Sequence, residues 1–185
     1  MRRITLAVCL IAATAFAQDK PTAPAQTNPY SAFTKEVYTH VKELLLRSAE
    51  KMPEESYSFK PVDTVRSYGQ IIGHLADAQY YFCSTELGEK GPDLKIEKTK
   101  TSKSDLIGAL KDAFTYCDKA YDSITDAAGT ATVKLFGKQD TPKLGVLTVN
   151  NLHNLEHYGN LVTYMRIKNI VPPSSEQAPQ SQPKK

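Results

Sequence analysis

Apolar residues recur along this chain every three or four positions over four separate stretches, the spacing that gathers them on one face of an α-helix. The first stretch opens with Asn28 as cap and Pro29 at the first helical position. It carries Phe33, Val37, Val41, Leu44, Leu45 and Ser48 on one face until Pro53 ends it. The second starts at Ser67, where Gln70 three residues on completes a capping box, and runs through Ile71, His74, Ala78, Tyr81, Phe82 and Thr85 to Gly88. The third is capped near Ser102 or Ser104, carries Leu106, Leu110, Phe114, Cys117, Tyr121 and Ile124, and fades before Gly129. The fourth covers about residues 143–168, with Val146, Val149, His153, His157, Leu161 and Tyr164 on its inner stripe and Pro172-Pro173 just beyond.

No segment sustains the two-residue alternation of a strand; residues 130–136 come nearest and are few. Four helices of about 20 residues, each with one apolar stripe, bury those stripes best by packing together. The pattern predicts an all-α four-helix bundle over residues 29–173 and no strands.

The ends of the chain read differently. Arg2 and Arg3 precede an apolar run at residues 4–16, and Ala15-Phe16-Ala17 matches a signal-peptidase site. A run of that length is too short to span a bilayer, which takes about 20 residues. Cys9 lies inside the apolar run, away from the cleavage point, which argues against a lipid anchor. The sequence therefore predicts a signal peptide at 1–17, an exported (periplasmic or secreted) protein, and no membrane association after cleavage. Residues 18–28 and 174–185, rich in Pro, Gln, Ser and Ala, read as a disordered linker and a disordered tail. Removing Arg2 and Arg3 takes the balance from 23 basic and 20 acidic residues to 21 against 20. With no basic cluster interleaved with aromatics, nucleic acid is excluded as a partner.

Candidate chemistry centres on histidine. The chain has only four, and His153 and His157 are spaced i,i+4 on the inner stripe of the fourth helix, so one ion can meet both rings. His74, on the inner stripe of the second helix, supplies a third imidazole and leaves coordination positions open, as catalytic metal sites do. Asn150, His153, His157, Asn160 and Tyr164 fall on one stripe, and packing alone does not account for so many polar groups there, each costing about 1–3 kcal/mol if buried unpaired. Asp77, three residues after His74, is placed to accept its second ring N–H or to bind the ion. Glu156 orients a ligand or pairs with Arg66 or Lys143, and Asp77, Glu156 and Tyr164 are the candidate proton-transfer groups. His40 has no ligand partner one turn away and reads as structural or exposed. Neutral imidazoles favour zinc or nickel over magnesium or calcium.

His153-Asn154-Leu155-Glu156-His157 also fits the H-x-x-E-H zinc motif of inverted metalloproteases, but the further acidic ligand those enzymes need well downstream has no room before residue 173. Export leaves Cys83 and Cys117 as the remaining cysteines. They read either as a disulfide between the second and third helices or as two small buried hydrophobes. The metal reading has two forms: an enzyme with a small-molecule substrate, in which the ion activates water or a thiol, and a non-catalytic module that the ion only stabilises.

Three segments carry a family resemblance. They are Met52-Pro53-Glu54-Glu55-Ser56-Tyr57-Ser58-Phe59, Arg66-Ser67-Tyr68-Gly69-Gln70-Ile71-Ile72-Gly73-His74, and His153-Asn154-Leu155-Glu156-His157-Tyr158-Gly159-Asn160 with the following Tyr164-Met165-Arg166 and Val171-Pro172-Pro173-Ser174. In order and spacing the chain resembles the DinB/YfiT-like superfamily of metal-binding four-helix bundles. The resemblance implies His74, His153 and His157 as the metal triad, with zinc or nickel as the ion. Relatives are often homodimers, and some transfer low-molecular-weight thiols to electrophiles.

Overall fold

The computed structural model describes residues 27–176; the signal segment, Cys9, most of the linker and the end of the tail lie outside the described residues. Its long helices are α1 (Pro29–Lys51), α2 (Tyr68–Leu87), α4 (Lys103–Ser123) and α5 (Lys143–Ile167), with the one-turn α3 (Ile96–Thr99) between α2 and α4. Both α1 and α2 pack against α4 and α5, so the first two long helices face each other across the diagonal of a four-helix bundle. Tyr68, Leu45, Ile72, Leu75, Leu110, Phe114, Leu147 and Leu161 fill the centre at under 2 % exposure.

Local chemistry sets the helix ends. Ser67 and Gln70 form the expected capping box on α2, and Gly88 closes that helix in the left-handed conformation at φ 74°. Ser102, rather than Ser104, caps α4 by accepting the Asp105 N–H. The start of α1 differs from expectation. The Asn28 side chain accepts from the backbone N–H of Asp126, and the Asp126 carboxylate accepts from Tyr30 and Ser31, so α1 is capped by a residue about a hundred positions away. The buried stripe of α1 is also turned by one position: Tyr38 lies at 2 % exposure and Phe33 at 65 %. Tyr38 wins because its ring stacks on Tyr121 while its hydroxyl donates to Asp118 and to the Phe114 carbonyl.

The expectation of no strands is corrected. β1 (Thr132–Leu135) and β2 (Gln139–Pro142) form an antiparallel hairpin with Thr132 opposite Pro142 and Leu135 opposite Gln139. Gln139-Asp140-Thr141-Pro142 has no apolar alternation to betray it. Its stability comes instead from Leu135 and Val133 packing on Ala78, Phe82, Val146 and Val149. At the hairpin tip Phe136 adopts φ 52°, a costly conformation for a bulky residue. It is held there by stacking on Tyr81 and by donating its N–H to the Tyr81 hydroxyl.

Cys83 of α2 and Cys117 of α4 form a disulfide, with Cα atoms 5.2 Å apart and both residues fully buried. This is the bridged form of the two alternatives left by the sequence. It closes a loop of 34 residues, which constrains the unfolded chain by about 3–4 kcal/mol. Replacing both cysteines by Ala is expected to lower stability by about that amount. Urea unfolding compared with wild type measures it, and thiol titration of the denatured, unreduced protein should find neither sulfur free.

Candidate metal centre

The three histidines predicted as a triad meet at one point. His153 and His157 lie one turn apart on α5, and α2 presents His74 to both, with ring centroids 4.5–5.0 Å apart in all three pairs. One nitrogen from each ring lies within 4.8 Å of the others, and Nε2 of His74 is 3.0 Å from Nε2 of His153. Ligand bonds of about 2.1 Å meeting at about 90–110° place two nitrogens roughly 3.0–3.4 Å apart, so this pair fits neighbouring ligands on one ion. Burial, reinforced by the other two imidazoles and Arg66, pushes His153 down to about 3. Burial and His74 push His157 down to about 4, and burial with Arg66 lowers His74. All three rings are therefore neutral at pH 7, the form in which an imidazole can offer a lone pair to a cation.

A carboxylate that the sequence did not single out supports the cluster. Glu97, on α3, places Oε2 3.2 Å from Nδ1 of His74 and Oε1 2.9 Å from Nε of Arg66. An Nδ1–H donated to Glu97 leaves Nε2 of His74 as the ligand atom. Two features of α2 hold Glu97 there. Asp77 accepts the backbone N–H groups of Ile96 and Glu97 at 2.8 and 3.0 Å. Gly73 lets α3 approach, since a Cβ on it would lie 2.7 Å from Cα of Glu97. On α5, the Asn160 amide lies 3.4 Å from Nδ1 of His157. His153 packs against Phe82, and its Nδ1 is buried with no hydrogen-bond partner among the described residues.

A profile of the DinB superfamily matches residues 38–161, a span that contains all three histidines. The chain belongs to the DinB superfamily. It is 28 % identical over 126 residues to the uncharacterized protein YjoA of Bacillus subtilis, covering 64 % of this chain and 77 % of that one. Among solved structures it resembles a DinB-like protein from Bacillus cereus, with TM-score 0.67, 18 % identity, and 76 % and 93 % of the two chains covered. It also resembles a mycothiol-dependent maleylpyruvate isomerase, with TM-score 0.60 and 13 % identity over 71 % of this chain, which spans 60 % of that protein. At these identities the structural likenesses bear on the fold.

Within this DinB fold the other candidate residues are dispersed. Asp77 has no hydrogen bond to any of the three histidines; both of its oxygens hold the α3 backbone, and Glu97 stands beside His74 in the place the sequence suggests for Asp77. Tyr164 is buried and its hydroxyl donates to the Arg66 carbonyl at 2.8 Å, which fixes the chain ahead of α2. Glu156 is exposed, and its expected partners are engaged elsewhere: Arg66 with Glu97, and Lys143 with Glu86. It lines a cleft of about 730 Å³ that reaches His157 and is bordered also by Arg66, Gln70, Glu97, Asn160 and Tyr164. His40 is exposed on α1, away from the cluster. Asn154, next to His153, is buried where the sequence stripe had suggested Asn160, which is exposed.

The depressed imidazoles set a pH dependence for the metal-free protein. Unfolded histidines take up protons below about 6.5, whereas His157 and His153 in the folded state resist until about 4 and about 3. The unfolded state then binds more protons, so stability is lost as pH falls through that window and regained as it rises. Urea midpoints of metal-free wild type and of the H153A/H157A variant, compared at pH 7, 5.5 and 4.5, isolate the effect. Wild type is expected to lose stability relative to the variant as pH falls; parallel curves would contradict the assigned burial.

Proposed function

We propose that this protein is an exported metal-dependent enzyme in which His74, His153 and His157 hold one divalent ion, zinc or nickel. The observation that carries the reading is the convergence of three neutral imidazoles, of which His157 borders an open cleft. An ion held there supplies a Lewis acid with room for a substrate donor, suited to hydrolysis or thiol transfer. Around it the chain does three things. Glu97 keeps His74 in one tautomer, Asn160 steadies His157, and Phe82 excludes water from the His153 side. Of the proton-transfer candidates, Glu156 is the one whose carboxylate faces the cleft without an ion-pair partner among the described residues, which suits it to accept a substrate proton.

A non-catalytic, metal-stabilised module is less well supported. The main apolar core is built from Tyr68, Phe114, Leu45 and their neighbours, and His74 and His153 are only half-buried beside it. Chelation is therefore expected to leave the helical signal and a cooperative thermal transition in place. Collapse of the fold on metal removal would instead favour the structural role.

Elemental analysis of purified protein should find close to one ion per chain, and the H153A/H157A variant should lose it. Full occupancy in that variant would sink the assignment. Removing the carboxylate that orients His74 is expected to weaken metal binding by about 10–100-fold in Glu97→Ala. Gly73→Ala should act in the same direction by pushing α3 outward. Competition against a chromophoric chelator reads both. Screening the holoprotein against hydrolytic and thiol-transfer substrates identifies the reaction, and Glu156→Gln should then lower kcat while leaving metal content unchanged.

A further inference from the structure

We propose that Arg66 is a carboxylate-binding fork and that the molecule handled at the three-histidine centre is a small monocarboxylate. Its carboxylate sits on Arg66 and a second donor atom is directed towards the histidines. The substrate class rests on the metal-dependent reading above; the fork does not.

Arg66 is built into the cleft rather than left loose on the surface. Its carbonyl is tied by the Tyr164 hydroxyl, and the next residue, Ser67, caps α2. Glu97 accepts a hydrogen bond from Nε at 2.9 Å, and the two terminal nitrogens donate no hydrogen bond to any described residue. The side chain is 43 % exposed and lines the same cleft as His157. A guanidinium pinned through Nε and free at both ends presents the planar, two-pronged donor that matches a carboxylate. Because Glu97 holds His74 with one oxygen and Arg66 with the other, the fork and the metal ligand stand at the two ends of a single carboxylate. A ligand spanning from histidines to fork is therefore short.

Among anions, charge favours a monoanion over a dianion. The cleft wall carries Lys60 and Arg66 against Asp63, Glu97 and Glu156. Lys60 pairs with Asp63 and Arg66 with Glu97, which leaves Glu156 unneutralised. A dianion such as inorganic phosphate meets more repulsion from these carboxylates than a carboxylate does.

Two measurements test the proposal. In the metal-free protein, titration with acetate, followed by the NMR signal of the Arg66 Nε–H, should show a saturable shift larger than that caused by phosphate. In the cobalt-loaded protein, ω-mercapto acids of increasing length are compared with mercapto alcohols of the same length, using the cobalt spectrum to read affinity. At the length that spans the site the acid should bind about 10- to 100-fold more tightly than its alcohol. Arg66→Gln should abolish that advantage, and Arg66→Lys, which keeps charge but not the fork, should restore only part of it. The shortest acids chelate an ion unaided, so the fork's share is the part lost in Arg66→Gln. An acid-to-alcohol ratio equal in wild type and Arg66→Gln overturns the proposal, as does an Arg66 signal indifferent to acetate. Failure to take up cobalt would count against the metal reading instead, and the acetate titration then decides the fork alone.

Discussion

Three imidazoles from two helices meet only while α2 and α5 keep a single register, and a seam of buried amides enforces it. Gln79 of α2 donates to the Asn154 side chain at 2.6 Å and accepts from that of Asn150 at 3.0 Å, and all three residues are fully buried. Asn154 follows His153 directly and Asn150 precedes it by three positions, so the groups that lock the seam flank the histidine pair. A slip of one residue would rotate α5 by about 100° and shift it about 1.5 Å. It would strand each of these amides at a cost of about 1–3 kcal/mol apiece. Tyr121 extends the lock into α4 by donating to the Leu147 carbonyl and the Asn151 side chain, and Asn151 reaches on to α1 through the Thr34 carbonyl.

A second constraint acts on the far side of α2. Gly73 and His74 are adjacent, so the residue without a side chain and the residue with a ligand point to neighbouring sectors of the helix. The bare sector admits α3, Asp77 one turn later holds its backbone, and Glu97 arrives beside the imidazole that the same turn presents. One turn of α2 thus supplies the ligand, the space for its support and the clamp on that support.

This explains which parts of the molecule the sequence made legible. The bundle and the His153–His157 pair follow from helical periodicity, a local property that tertiary packing left intact. His74 is legible because histidines are scarce in this chain and it falls on an inward stripe. Glu97 gave no such signal: its place depends on a loop folding back over Gly73, and nothing near it in the chain encodes that contact. Asp77 stands out in the sequence by its spacing from His74, yet two backbone N–H groups bind it more directly than a ring one turn back. Hydrophobic periodicity alone places Phe33 and Tyr81 on buried stripes. Tyr38 displaced the first, and the hairpin tip drew the second outward to carry Phe136.

The hairpin also gives the centre a direction. His153 lies against Phe82, Phe82 against Phe136, and Phe136 is held in an unfavourable backbone conformation by Tyr81. Strain kept at an exposed tip needs a compensating contact, and here that contact extends the aromatic wall on the His153 side. On the other side Arg66, Glu97, Glu156 and Asn160 are polar and open to the cleft beside His157. A ligand approaching through the wall would have to part packed aromatic rings, whereas one approaching by His157 meets charged groups open to solvent. In the proposed enzyme access would therefore be one-sided, and the residues placed to choose among ligands are those around Arg66, not those around His153.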